Sequence, residues 1–310
     1  MDPGQFGDGR FPGGEVDYRV AKVGGAHTGH GRRQPLDPFG VTAPGVVVGE
    51  PRIGGDQEHH LKANGGAGVG GGPAGTLSEV SAQTIERLGE RARFATWRGD
   101  GIVAHLAPAA TRPLSAEFVT ECLDWLRARG YRSVVTSALS ASECEGFLQA
   151  GFDLHEHLDL LAHDLGGLPS VPRGLRRARR RDRPVVIEVD AAAFPPFWRL
   201  HQGGLDEALV ATPSVRFRVA GRGAKGLVGY AIAGRGGDTG YLQRLAVHPS
   251  ARGRGLGTAL VVDALIWLRR RGAQRAMVNT QRTNQGALAL YQACGFRLLP
   301  EGLSVLAREL

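Results

Sequence analysis

The sequence predicts an α/β protein in which one mixed sheet-and-helix unit occurs twice, behind a long N-terminal tail. Three observations carry this. From about Ser78 onward, strand-like runs alternate with helix-like runs, the pattern of helices packed on a parallel or mixed sheet. A helix–strand–helix stretch of the first half recurs in the second. Residues 1–75 hold 21 of the 47 glycines and seven prolines without apolar periodicity, so they are expected to be disordered.

Composition removes several classes of function. The 310 residues carry 38 basic and 30 acidic side chains, a net charge of +8. The segment Arg173–Arg183 alone contributes +6 of this, which excludes a protein that is basic over its whole surface and wraps nucleic acid. No apolar run approaches the roughly 20 residues needed to span a bilayer. The N-terminus lacks the apolar core of a secretory signal, so a cytoplasmic, non-membrane protein is expected. Cys122, Cys144 and Cys294 have neither metal-site spacing nor the number for a disulfide framework. His27, His30, His59 and His60 in the tail show no helical pair beside a third ligand, and no metal is expected.

The elements follow in order. Ala92–Arg98 and Gly101–Leu106 read as short strands about a Gly-Asp-Gly turn. Ser115 caps a helix to about Arg129, with Glu117 and Glu121 early and Arg127 and Arg129 late, as the helix dipole favours. Arg132–Ser137 is a strand, Ala141–Ala150 a helix and Asp153–Asp164 a long strand. In the second half Pro184–Val189 reads as a strand, with helical material around Phe197–His201 and Asp206–Ala211. Val215–Ala220, Leu227–Gly234 and Gly240–Val247 read as strands, the first two joined by a turn through Lys225. A nearly all-apolar helix spans Gly255–Arg271. Arg275–Thr280 is a strand, Gln285–Cys294 a helix, and strands near Arg297 and over Ser304–Arg308 close the chain. The expected division is a tail (1–75), a first domain (76–170), an Arg-rich linker (171–183) and a second domain (184–310).

The repeat is visible in the residues. Trp125-Leu126-Arg127-Ala128-Arg129-Gly130 matches Trp267-Leu268-Arg269-Arg270-Arg271-Gly272, and the Gly151-Phe152 that ends the next helix matches Gly295-Phe296. The matched order indicates duplication of one fold.

The most informative stretch is Leu242 to Thr258. A strand ends at Pro249, and Arg252-Gly253-Arg254-Gly255-Leu256-Gly257-Thr258 opens directly into the long helix. The first N–H groups of a helix have no intrahelical acceptor and the dipole makes that end partly positive. Glycines let phosphate oxygens approach the backbone, so the turn is an anion cradle. It is not a Walker loop, since G-x-x-x-x-G-K-[ST] is absent. Nor does an acidic residue follow at the distance a dinucleotide fold requires.

Here the chain resembles the GCN5-related N-acetyltransferase superfamily. Its signature, [QR]-x-x-G-x-[GA], is met by Arg252 to Gly257. Asn284-Gln285-Gly286-Ala287 and Leu290-Tyr291-Gln292-Ala293-Cys294-Gly295-Phe296 are similar to its N-x-x-A and L-Y-x-x-x-G-F elements. The resemblance covers roughly residues 184–310 and implies acetyl-CoA as co-substrate. It places the pyrophosphate on residues 252–258, the pantetheine arm along Leu245, Ala246 and Val247, and Asn284 beside that arm. The first half has Ala107 to Leu114 before its equivalent helix, without glycine, and Phe147 in place of Tyr291. It resembles a degenerate copy, an arrangement known among tandem members of the superfamily. In one such member the strand before the loop carries an acidic residue where this chain has Tyr241.

Acetyl transfer needs a neutral amine, a stabilised oxyanion and a proton for the leaving thiolate. A phenol near pKa 10 can protonate a thiolate whose acid has a pKa near 8.5, and the resemblance gives Tyr291 that role. The base is not named by the sequence. Some family members place a Glu where this chain has Asn279. Gln243, read as sharing a strand face with Leu245 and Val247, could orient a water. Glu188, His201, Asp206 and Glu207 could each act through water. Phe194, Phe197 and Trp198 could line an acceptor pocket or fill core, and Cys294 reads as packed core. The Arg-rich segment reads as a solvated connector, and nucleic acid is not expected as a partner. The acceptor amine is open, small molecule or peptide α-amine, and so is the state, monomer or homodimer. The competing reading is a non-catalytic acyl-CoA-binding protein that docks a partner through that segment.

Overall fold

The computed structural model describes residues 83–109, 112–222 and 226–310. The tail of residues 1–75 and the turn at Lys225 lie outside the described residues. The first half comprises β1 (Gln83–Arg87), β2 (Glu90–Thr96), β3 (Val103–Pro108), α1 (Ala116–Arg127), β4 (Ser133–Thr136), α2 (Ala141–Gln149) and β5 (Asp153–His163). The second comprises β6 (Leu175–Arg177), α3 (Arg183–Ala193), α4 (Gln202–Val210), β7 (Ser214–Arg222), β8 (Gly226–Gly236) and β9 (Thr239–Val247), then α5 (Leu256–Arg270), β10 (Arg275–Gln281), α6 (Gln285–Ala293), β11 (Arg297–Leu298) and β12 (Leu303–Glu309). A short 3-10 turn at Trp97–Gly99 joins β2 to β3, and another at Pro196–Trp198 joins α3 to α4.

All the strands join one mixed sheet in the order β1-β2-β3-β4-β12-β5-β10-β9-β8-β7-β6, with β11 also paired to β5. The halves exchange their closing strands. β5, the last strand of the first half, lies antiparallel between β10 and β12, while β12 lies antiparallel between β4 and β5. The repeat is structural as well. Gly151 and Gly295 both leave their helices at positive φ, +80° and +93°, and Phe152 and Phe296 are both buried.

Helix faces follow the side-chain pattern. Phe118, Val119, Cys122, Leu123 and Leu126 turn one stripe of α1 onto the first core, with Ser115 Oγ accepting the Phe118 N–H at 3.2 Å. On α5 every residue from Leu260 to Leu268 is buried. Its one acid, Asp263, is 2 % exposed and accepts from Arg216 Nε and Nη2 at 2.6 and 2.8 Å, pinning the helix to β7. On the opposite face α3 and α4 pack on Tyr230, Ile232 and Ala246. A further cluster crosses the middle, from Trp97 and Val135 through Trp198 and Leu303 to Tyr241.

Two expectations are corrected. Pro184–Val189 is helical, within α3. Pro184 stands in the first turn, where its missing N–H costs nothing, and Val186, Val189 and Asp190 bury at helical spacing. The β-branched run suggested a strand, but packing decided against propensity. The Arg-rich segment also contains an edge strand, β6, paired antiparallel with β7. Arg176 holds buried Asp182 at 2.7 and 2.8 Å, and Arg183 holds Asp206 at 2.6 Å.

Candidate functional site

β9 and β10 run parallel but pair only at Thr239–Tyr241 with Arg275–Met277. Beyond this the strands part. Leu245, Ala246 and Val247 remain paired to Ala231, Tyr230 and Gly229 of β8 on one side, and on the β10 side their backbone faces the gap. A bulge aids the parting: Ile232 pairs with Arg244 and Ala233 with Leu242, so Gln243 is an extra residue, and bulges bend the strand that carries them. This corrects the expected face of Gln243. Its side chain is fully buried, reaching Thr212 Oγ1 at 3.5 Å, whereas Leu245 and Val247 pack in the α5 core.

At the end of β9 the chain makes one 3-10 turn, Pro249–Ala251, and then the cradle. Gly253 and Gly255 stand at φ +73° and +72°, left-handed backbone that side chains rarely adopt. Gly255 is the N-cap of α5, and no side chain caps this helix. Arg252, Gly253, Arg254, Gly255 and Thr258 are exposed, Leu256 and Gly257 half-buried. Arg252 and Arg254 donate to the carbonyls of Ala193 and Ser250, at 3.5 and 3.2 Å. Beside Thr258 a cavity of about 580 Å³ extends between α5 and α6 to Cys294 and Arg297. An uncapped helix start with two adjoining arginines fits a polyphosphate, as the cradle requires.

The first half shows the same helix start closed. Glu90 from β2 accepts the Ser115 N–H at 2.5 Å and the Ser115 hydroxyl at 2.8 Å, so a carboxylate of the chain itself lies at the N-cap of α1. Across from it, β3 and β4 pair over four residues, Val103 with Ser133 to Leu106 with Thr136. Sequence inspection missed Glu90, which lies 25 residues before its partner.

Tyr291 is buried on α6 against Phe296, with ring centroids 5.8 Å apart. Burial raises its phenol well above the ordinary 10, against the pull of the Arg244 cation. Asn284 is the N-cap of α6, its Oδ1 accepting the Ala287 N–H at 3.2 Å. Below the parted strands, Arg244 and Asp190 form a fully buried pair, with Arg244 Nε and Nη2 at 2.8 and 2.9 Å from the carboxylate. Asp190 also accepts from the Tyr230 hydroxyl at 2.5 Å and the Leu200 N–H at 2.6 Å. Arg244 Nη2 reaches the Trp198 carbonyl at 2.6 Å, and its guanidinium lies 3.7 Å from the Phe194 ring centroid. An arginine in an otherwise buried strand was the one sequence signal for this cluster.

The remaining candidates scatter. Glu188 is exposed on α3, Asp206 is held by Arg183, and half-buried His201 begins α4. Glu207 is exposed, yet it stands in a recess where lost solvation raises its carboxyl against the pull of Arg93 and Arg98. Phe197 and Trp198 join Trp97 of the first half in one aromatic cluster, with Phe197 5.3 Å from Trp97 and 4.3 Å from His155. Arg98, also missed from the sequence, donates to the Arg199 carbonyl across this junction. Among the described residues no group of three or more His, Cys, Asp or Glu is placed to hold a metal ion, and no helix is long and apolar enough to cross a membrane.

A glycine-rich turn that opens a helix thus stands at the end of a strand that parts from its neighbour, on a mixed sheet built twice. Residues 184–296 match the acetyltransferase (GNAT) family. The chain is 30% identical over 151 residues to the mycothiol acetyltransferase of Actinosynnema mirum, covering 44% of this chain and 50% of that protein. It is 32% identical over 130 residues to the mycothiol acetyltransferase of Rhodococcus jostii, covering 37% and 42%. The chain thus spans about half the length of these relatives. Its fold is similar to that of a tandem GNAT protein from the clavulanic acid biosynthesis pathway, at TM-score 0.52 and 16% identity over 71% of this chain and 78% of that one.

Proposed function

We propose that the chain moves the acetyl group of acetyl-CoA directly to an amine, and that its second half holds the one working site. The observation that carries this is the contrast between the two helix starts. α5 is uncapped beside parted strands, while α1 is closed by Glu90 beside paired ones. The pyrophosphate would lie on residues 252–258, and the pantetheine arm would pair with the backbone of Leu245–Val247 in the gap. A main-chain N–H of that stretch would bind the oxyanion as charge develops there. Tyr291 would protonate the departing thiolate; burial keeps its phenol protonated across the physiological range. Asn284, its oxygen engaged in capping, would offer its amide N–H₂ to the arm. The relatives' names, mycothiol acetyltransferase, support a small-molecule amine as acceptor.

The test is calorimetric titration of acetyl-CoA into the full chain and into Gly255→Ala and Gly255→Glu. Alanine carries the cost of a side chain at φ +72°, and glutamate adds like charge at the phosphates. The parent should bind, and Gly255→Glu should bind at least about tenfold more weakly than Gly255→Ala, the equivalent of about 1.4 kcal/mol. No binding to the parent, or equal binding by the two variants, would remove the assignment.

A further inference from the structure

We infer that Glu156, on the strand lent by the first half, is the general base of the second half's site. The inference rests on the acetyltransferase reading and adds a residue to it. β5 supplies the next wall beyond β10: Asn279 pairs with Leu160 and Gln281 with Leu158. Glu156 stands two residues further along β5, about 7 Å past the end of β10 at ordinary strand rise. It therefore sits at the mouth of the gap between β9 and β10. Leu158 and Leu160 share the face that packs on Tyr241, Met277 and Trp198, and Glu156 follows their alternation. On the opposite face α5, α6 and the core around Tyr291 pack on the sheet, and an acceptor would approach from the Glu156 side.

Among the described residues, Asp190 below the parted strands is already held by Arg244, Tyr230 and Leu200. β9 and β10 contain no acid. On β5, Asp159 is engaged by Arg282 at 3.3 Å, and Asp153 lies at the strand's exposed start. Gln281 Nε2 donates to Glu156 Oε2 at 2.9 Å, which fixes the carboxylate and leaves Oε1 for a water. The charged and titratable groups around it are few. His155 and His157 flank it on β5, with His157 Nδ1 3.3 Å from Ser304 Oγ of β12. β12 presents uncharged Val305 and Ser304, Arg282 lies beyond β10, and Arg199 follows the Phe197–Trp198 turn.

In the step, Glu156 takes one proton from the substrate ammonium through a water, and the amine lone pair then forms the C–N bond at the thioester carbon. Collapse breaks the C–S bond. Tyr291 gives its proton to the thiolate and regains one, through water, from the new amide nitrogen. The proton on Glu156 passes to solvent, so one amide, one thiol and one proton result. Asn279, the position where the family resemblance led one to look for an acid, needs none if the adjoining strand provides it.

The test measures thiol release from acetyl-CoA by the full chain with two probe nucleophiles. Glycinamide must lose a proton near pH 7, whereas hydroxylamine is already neutral there. Glu156→Gln keeps the Gln281 contact, and its kcat/KM for glycinamide should fall about 100-fold at pH 7. The gap should narrow as pH rises past the amine's pKa, about 8. Hydroxylamine transfer should lose far less, and Asp159→Asn should follow the parent. Acetyl-CoA affinity and thermal midpoint report folding. Equal losses with both nucleophiles at every pH, or rates within about twofold of the parent, would overturn the inference. So would a parent that binds acetyl-CoA but acetylates neither probe. A parent that does not bind acetyl-CoA would overturn the functional reading beneath it.

Discussion

Replacing Asp190 by Asn tests whether the pair under the parted strands holds the site together. Both Asp190 and Arg244 are wholly shielded from solvent, and the carboxylate accepts four hydrogen bonds: two from Arg244, one from Tyr230 and one from Leu200. Asparagine preserves the shape and one acceptor oxygen, so the Leu200 contact can survive. The guanidinium then stays buried without its counter-charge, and breaking such a pair from one side costs about 3–5 kcal/mol. At about 2–4 °C per kcal/mol for a domain of this size, the thermal midpoint should drop roughly 6–20 °C. Urea unfolding at pH 7 measures the loss. The double variant Asp190→Asn with Arg244→Met removes the orphaned charge and should recover more than 1 kcal/mol relative to additivity, since contacting residues couple by about 0.5–3 kcal/mol. A single-variant loss under about 1 kcal/mol, or strict additivity, would refute the reasoning.

The remaining predictions concern acid and thiols. Hydrogen bonds from Arg176 hold the Asp182 carboxyl down at about 2, below its unfolded value near 3.9, so its contribution is complete above pH 4 and is lost as pH falls through 2. That amounts to about 2 kcal/mol, and Asp182→Asn should lower stability at pH 6 while flattening the decline between pH 4 and pH 2, read by urea midpoints across that range. Burial pushes the thiol of Cys122 up to about 12 and that of Cys144 up to about 11, and raises Cys294 also. A disulfide reagent at pH 8 should therefore spare Cys122 and Cys144 until urea is added. Rapid labelling of Cys122 in the native protein would contradict the burial described.

Local chemistry was legible because neighbours in sequence make it. Ser115 caps α1 three residues ahead of its donor, and the Arg252–Gly257 turn opens α5 within a single loop. The glycine-rich turn proposed to hold the phosphates could thus be read from residue types alone. What escaped is held by partners far apart: Glu90 with Ser115, Asp190 with Arg244 across 54 residues, and Glu156 with Gln281 across 125. The helix at 183–193 was misread because Val185, Val186 and Ile187 favour strands in isolation, while the buried stripe of Val186, Val189 and Asp190 decides the matter in the fold. β6 is three residues long and too arginine-rich to alternate visibly. The exchange of closing strands leaves no mark on either strand's own composition.

That exchange has a bearing on why a half with a closed cradle persists. Removing residues through β5 would leave β10 with a bare backbone edge, which invites pairing with another chain. An isolated second half would have to borrow its missing strand from a neighbour at whatever concentration the cell provides. Tethering the donor in the same polypeptide replaces that encounter with an effective concentration in the millimolar range. The first half is then a resident partner, supplied in fixed one-to-one ratio, its own helix start held by Glu90.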